Sequence, residues 1–354
     1  MKTYDILNAG PMNRFMASGR IVSNSGRLVQ IQNLPRNTMD DLALARKLLK
    51  SGNYEALELL FDSVSDALSQ LIRTAFIPSE SHRLMVSDFS SIEARIIAWL
   101  AGENWVTEVF KGHGKIYEMT ASRMFGVPLE RIMKGNPEYE LRAKGKVAVL
   151  SCGYGGGVGA LQAMGAEKMG LDEVELKRIV QAWRRANPSI VRFWHAVEES
   201  AIKAVKERTV VEMQLGLKFY YQSGMLFIQL PSGRSLVYVR PRIEMDERFG
   251  REKLTYEGME QTTRTWGRIS TYGGKICENI IQAIARDCLA EALLRLDVKG
   301  YKIVAHIHDE VILDVPQGEG SLEEVNRIMA EPIPWAKGLP MNADGFESDF
   351  YRKE

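Results

Sequence analysis

The tripeptide His308-Asp309-Glu310 stands between two apolar, β-branched stretches, residues 301–307 and 311–315. Two strand-like runs joined by so short a link predict a hairpin, with adjacent carboxylates held at its tight turn. Exposed acids on a rigid turn suit a metal ion. A second strand-like run, Leu84-Met85-Val86-Ser87, delivers Asp88 at its end more than two hundred residues earlier, and Ser90-Ser91-Ile92-Glu93 then opens a helix. Carboxylates brought from two strand ends predict one shared Mg²⁺ site, because hard cations take oxygen ligands and substrate phosphates complete the coordination. His306 and His308 have i, i+2 spacing and would share a strand face like half a zinc site, but no third or fourth ligand lies nearby in sequence.

These groups need elements to position them. Leu and Ala recur at helical spacing over 40–51, 53–61 and 64–75, and further helices are predicted over 91–100, 115–125, 137–152, 172–187 and 189–207. From 209 the period changes to two: runs at 209–214, 219–221, 226–230 and 235–239, punctuated by Gly216, Gly224 and Pro231-Ser232-Gly233, read as antiparallel hairpins. Short strands at 253–257 and 265–269 and a long helix over 275–296 precede the acidic hairpin, while residues 1–37 read as extended segments and turns. Helices gathered in the middle with sheet segments on both sides predict an α+β protein, a helical insertion in a sheet-based domain.

At 354 residues, 45% hydrophobic and 26% charged, the chain exceeds one average domain and predicts two lobes. A net charge of +1 means that nucleic-acid affinity would have to come from local Lys and Arg clusters, at 131–146, 234–242 and 264–268, each of which taken alone also reads as an ordinary solvated face. Three cysteines, 152, 277 and 288, without metal-ligand spacing fit a reducing cytosol, and no apolar run reaches membrane-spanning length. The expectation is a cytoplasmic protein with no membrane partner.

Asp88-Phe89-Ser90-Ser91-Ile92-Glu93-Ala94-Arg95 resembles motif A of the family A (DNA polymerase I-like) DNA polymerases. Arg142-x3-Lys146-x7-Tyr154-Gly155 resembles motif B, and His308-Asp309-Glu310 resembles motif C. The order and separations of all three match. The run Arg27-Leu28-Val29-Gln30-Ile31-Gln32-Asn33-Leu34-Pro35-Arg36-Asn37 is similar to the phage-type branch, and the resemblance extends from about residue 18 onward. It implies a right-hand polymerase fold lacking most of the thumb. An antiparallel-sheet palm would comprise residues 1–110, with a thumb remnant or connecting segments, and 209–354; helical fingers would comprise 111–208.

The resemblance implies template-directed DNA synthesis in phage or prophage replication inside a bacterial host, at the nucleoid, with primer-template DNA and dNTPs as partners. Two Mg²⁺ ions, replaceable by Mn²⁺, would be held by Asp88, Asp309 and the backbone carbonyl of Phe89, with Glu310 and Lys146 also catalytic. Arg142, Lys146, Leu150 and Tyr154 recur every four residues on one helix face, and two stacked cations repel unless an anion lies over them. A dNTP triphosphate is the anion the family supplies. Leu150 stands where an aromatic residue is common, and Phe89 would line the same site. Glu93 would pair with Tyr154 beside the sugar 2′ position, although Ser90-x-x-Glu93 also reads as a capping box.

Arg20, Gln32 and Asn33 are similar to a primer- and template-touching segment, with Arg27 an alternative to Arg20 because the spacing runs longer than the family's. Gln282 and Arg286 share a helix face that could read the minor groove, and His308 would support the acidic turn by hydrogen bonding beside the DNA. The length of the sequence leads us to expect no proofreading exonuclease within it. The alternative to an active enzyme is therefore a nucleotide- and DNA-binding subunit of a split polymerase, idle until a separate thumb or exonuclease polypeptide joins it.

Overall fold

The computed structural model describes residues 14–17, 20–23, 31, 34–166, 170–247, 250–260, 263 and 265–353. Strands β1 (Arg14–Ala17) and β2 (Arg20–Ser23) pair antiparallel. Helices α1 (Leu42–Lys50), α2 (Tyr54–Leu60) and α3 (Val64–Leu71) each begin where a side chain, Asp41, Asn53 or Ser63, accepts a first-turn N–H. Strand β3 (His82–Phe89) leads into α4 (Ile92–Ala101), α5 (Asn104–Lys111), α6 (Ile116–Phe125) and α7 (Leu141–Cys152). Then come α8 (Val158–Ala163), α9 (Glu173–Ala186) and α10 (Pro188–Glu207). Strands β4 (Val211–Glu212), β5 (Lys218–Gln222), β6 (Met225–Gln229), β7 (Ser235–Asp246), β8 (Arg251–Met259) and β9 (Trp266–Thr271) follow. The chain continues through α11 (Gly273–Val298), β10 (Ile303–Ile307), β11 (Glu310–Pro316), α12 (Leu322–Met329) and β12 (Ala343–Ser348).

These elements form two units, one of residues 1–89, 292–330 and 342–354, the other of residues 90–291 and 331–341. The first holds a four-stranded antiparallel sheet in the order β10-β11-β3-β12. Alternation sends Leu84 and Val86 of β3 to one face, where they join Ile307, Ile312 and Tyr351 in a buried cluster. On the other face Ser87 Oγ donates to Asn326 of α12 at 2.6 Å. Strand β12 approaches β3 closely because Gly345 has no side chain: a β-carbon there would stand 2.0 Å from the Val86 carbonyl oxygen.

The second unit holds a six-stranded antiparallel meander, β4 to β9 in sequence order, with α10 packed against β5, β7 and β8. Helix α7 seats on α6 through Gly145, where a β-carbon would come 2.3 Å from the Tyr117 carbonyl oxygen. Helix α10 starts at Pro188 with no side-chain cap from Asn187, and the buried Glu103 carboxylate accepts the Ser189 N–H at 2.8 Å instead.

The α+β class expected from the sequence is the class observed. Helix α7 is shorter than expected, because Pro137–Glu140 forms a separate 3₁₀ turn. Strands β7 and β8 are longer, and α5, α12 and β12 were not among the expected elements. No helix of the described residues is long and apolar enough to cross a membrane.

Candidate active site

In the first unit β10 and β11 close at the pair Ile307 and Glu310, so His308 and Asp309 form a two-residue turn. His308 takes the left-handed backbone, φ 54°, that such tight turns demand. Across the sheet Glu310 faces Asp88, and Asp88 faces Asp344 on its other side. Cross-strand partners share a face with β-carbons about 5 Å apart. The Phe89 N–H donates to the Asp309 carbonyl at 3.4 Å, tying the turn to the end of β3.

Burial, then the negative charge of Asp309, pushes the Asp88 carboxyl up to about 7; Lys353 pulls the other way, while Glu310 and a hydrogen bond with Asp309 add to the rise. Asp88 Oδ1 is buried with no hydrogen-bond partner among the described residues. Like charges crowded around an orphan acceptor fit a divalent cation, which would satisfy both faults at once. No group of three or more His, Cys, Asp or Glu among the described residues is arranged to hold a metal. Asp88 and Asp309 are therefore a pair, and the remaining coordination would fall to substrate and water.

Two expectations about this turn are corrected. Glu310 is not an exposed turn acid: it opens β11, is 3% exposed, and accepts from Tyr351 Oη at 2.7 Å, with Lys353 Nζ at 3.4 Å. A buried carboxylate needs such partners, and the core face supplies them. His308 is exposed and makes no hydrogen bond among the described residues, so it serves the turn through its backbone conformation.

In the second unit α7 carries Arg142, Lys146 and Leu150, while Tyr154 lies in the turn beyond its end. The anion beside Arg142 is Glu118 of α6, at 2.7 Å, and the guanidinium also lies over the rings of Tyr117 (5.4 Å) and Tyr139 (6.0 Å). The expected repelling pair is thus already neutralised at one member. That hydrogen bond, opposed by burial, holds the Arg142 pKa above its ordinary value. Lys144 pairs with Glu175 of α9 at 2.6 Å. Lys146 is exposed and has no hydrogen-bond or ion-pair partner among the described residues.

The structure brings Tyr154 and Glu93 together: Tyr154 Oη donates to Glu93 Oε2 at 2.6 Å. Burial first, then the Glu93 charge and this hydrogen bond, raises the Tyr154 phenol far above its usual range. With Leu150, Ile97, Val149 and Trp183 the pair lines a pocket of about 90 Å³. The expected capping box does not form, because α4 starts after Ser91, which is left-handed (φ 53°) and makes no side-chain cap bond. Close packing fixes the tyrosine from behind: a β-carbon on Gly274 would stand 2.1 Å from the Tyr154 carbonyl oxygen.

Gln282 is exposed on α11, with Glu278 at 3.5 Å, and Arg286 follows half-buried one turn later. Phe89 is 2% exposed. Of the expected primer and template residues, Gln32, Asn33 and the alternative Arg27 lie outside the described residues, and Arg20 is placed only as the first residue of β2. Much of the clustered basic charge is paired internally: Arg131 with Glu138, Arg234 with Asp287, and Arg240 and Arg268 with Glu257. Cys152, Cys277 and Cys288 are free and buried. Sequence reasoning missed Tyr351, Lys353, Asp344, Glu118 and Gly274. Only Glu118 carried a local signal, as an acid on the helix before the basic one.

Comparison with known proteins gives the family of the chain. The profile of DNA polymerase family A matches residues 12–344. The chain is 60% identical over 341 residues to the DNA polymerase of Bacillus phage SP02, covering 96% of this chain and 52% of that protein. It is 25% identical over 272 residues to the thermostable DNA polymerase I of Thermus aquaticus, covering 76% of this chain and 26% of that one. A solved structure described as the POL domain of Pol1 from M. smegmatis in complex with DNA primer-template and dNTP superposes with a TM-score of 0.55 at 20% identity, over 94% of this chain and 46% of its own. This chain belongs to DNA polymerase family A. It spans about half the length of its phage relative and about a quarter of the Thermus enzyme.

Proposed function

We propose that the chain performs template-directed DNA synthesis, joining dNTPs to a primer 3′-hydroxyl, in phage or prophage DNA replication within a bacterial host. The observation that carries this reading is the acid pair Asp88 and Asp309, with Asp88 Oδ1 buried and without a hydrogen-bond partner among the described residues. Family membership supports it, as do the phage relative's name and the primer-template and dNTP bound in the M. smegmatis structure.

Asp88, Asp309 and the Phe89 carbonyl would hold divalent ions, Mg²⁺ or Mn²⁺. Such ions, when bound, lower the pKa of the primer hydroxyl and neutralise charge on the departing pyrophosphate. Lys146 offers the triphosphate an uncommitted ammonium. Arg142 would exchange Glu118 for phosphate oxygens, keeping a charge-assisted bond throughout. Leu150 supplies apolar contact to sugar and base, and the Tyr154–Glu93 bond holds a carboxylate beside the pocket where a 2′-hydroxyl would stand. Gln282, Arg286, Arg20, Gln32 and Asn33 are the proposed primer-template contacts. Palm (1–110 and 209–354) and fingers (111–208) divide the chain by role at the substrate, whereas the two compact units divide it by packing.

The test is primer extension by the 354-residue chain with Mg²⁺ and four dNTPs. Pyrophosphate release that requires template and the complementary dNTP is expected. No product from the chain alone, with synthesis restored by a thumb-bearing polypeptide, would replace this reading with that of a binding subunit.

A further inference from the structure

We infer that Tyr351 and Lys353 withhold Glu310 from the metal site, so that a potential three-carboxylate site works with two. The inference rests on the proposed reading of Asp88 and Asp309 as metal ligands. Glu310 is the direct cross-strand partner of Asp88, so its carboxylate starts within reach of any ion that Asp88 holds. Both of its oxygens are engaged elsewhere: Tyr351 Oη donates to Oε1 at 2.7 Å and Lys353 Nζ lies 3.4 Å from Oε2.

The clamp is itself pinned. Tyr351 is 1% exposed in the core cluster, its N–H donates to the Phe76 carbonyl at 2.9 Å, and the Arg73 guanidinium lies 5.7 Å from its ring centre. Lys353 N–H donates to Asn37 Oδ1 at 2.8 Å, and Asn37 N–H returns a bond to the Lys353 carbonyl at 3.1 Å. Asn37 is in turn buried and donates to the Gln70 carbonyl at 2.6 Å. Segments far apart in sequence thus converge to satisfy one carboxylate. A third acid on the ion would bind it more tightly and occupy a position that a substrate phosphate needs. Positioning Glu310 away keeps the site weak and open.

The probe is Mn²⁺, titrated calorimetrically into DNA-free protein, with folding followed by circular dichroism. Tyr351→Phe removes one hydroxyl while keeping charge and ring, and Lys353→Met keeps the aliphatic stem. The double variant should bind Mn²⁺ about tenfold more tightly than the parent, a change of about 1.4 kcal/mol, and adding Glu310→Gln should cancel the gain. General loosening of the fold weakens binding, so a gain separates the clamp from loss of structure, and cancellation by Glu310→Gln separates ligand release from loss of the ammonium charge. An unchanged or weaker affinity in the folded double variant overturns the clamp. So does a gain that survives Glu310→Gln, since loss of the ammonium charge then explains it. If the double variant does not fold, charge-neutral Tyr351→Phe alone decides: about threefold tighter binding is expected, and no change overturns the clamp. Mn²⁺ binding that persists in Asp88→Asn and Asp309→Asn overturns the ligand assignment together with the clamp. Binding lost in those two but unmoved by the Tyr351 and Lys353 variants overturns the clamp alone.

Discussion

Two acids of one sheet, Asp314 on β11 and Asp88 on β3, meet opposite environments. Asp314 is 4% exposed, yet Lys302 at 2.6 Å and the Ser79 hydroxyl and N–H at 2.5 and 3.1 Å satisfy it. Burial alone would raise its pKa; the bonds from Lys302 and Ser79 outweigh that and hold it at about 2. Asp88 sits among Asp309 and Glu310 with an oxygen that has no hydrogen-bond partner among the described residues, and its carboxyl is pushed up to about 7. One sheet therefore contains a charge the protein has answered and a charge it leaves for something else. The same contrast recurs on α7, where Arg142 and Lys144 are paired and Lys146 has no partner among the described residues. Buried or clustered charge is thus no guide to function until its partners are counted.

The sharpest way to break this contrast is to neutralise the acids on both sides of it. Asp88→Asn and Asp309→Asn are each expected to lower nucleotide incorporation at least about a thousandfold while leaving the fold intact, because each would remove an oxygen proposed to bind metal without opening a cavity. Asp314→Asn should leave incorporation per folded molecule unchanged. Single-turnover extension beside circular dichroism checks all three, and normal extension by the Asp88 variant would erase the distinction.

On α7 the unpaired cation should matter more. Lys146→Ala is expected to weaken dNTP use by about 1.5–3 kcal/mol, the value of a charge-assisted contact. Arg142→Ala should cost less, since Glu118 already competes for that guanidinium. The dNTP dependence of extension separates them, with primer-template affinity in the absence of dNTP expected to hold in both. An equal fall in duplex affinity would make these residues a DNA-backbone patch.

On the proposed reading, Glu93→Ala should relax discrimination against ribonucleotides by about tenfold, because the carboxylate held by Tyr154 would no longer crowd the 2′ position. The ratio of rNTP to dNTP efficiency is the measurement. Stability should change little, since no capping box is lost. An unmoved ratio would leave the Tyr154 bond a structural brace.

The remaining effect is on stability rather than synthesis and belongs to the answered charge. Asp314 has a folded pKa of about 2 against an ordinary 3.8, so its stabilisation is complete above about 3.8 and gone once the pH falls below about 2. The shift corresponds to on the order of 2 kcal/mol. Asp314→Asn should lose about that much at neutral pH, and its acid-unfolding curve should converge on the parent's as the pH falls through that window. A constant gap between the curves would mean that Asp314 contributes through shape rather than charge.

Much of this was legible in the sequence because it is local. Helical spacing, an abrupt change to period two and an acidic tripeptide between two β-branched runs each depend on neighbours within a few positions. Asp88, Asp309 and the α7 stripe could be named for that reason. Tyr154 and Glu93 could be paired only through the family, since nothing in their spacing says that they meet. Register and burial were decided by tertiary structure. The pairing of Glu310 with Asp88 turns its side chain to the core face, where Tyr351 and Lys353 answer it. Packing of α6 on α7 through Gly145 brings Glu118 to Arg142. The types of the charged residues were thus written in the chain, but whether each charge is satisfied depends on contacts between distant segments, and no local pattern encodes those.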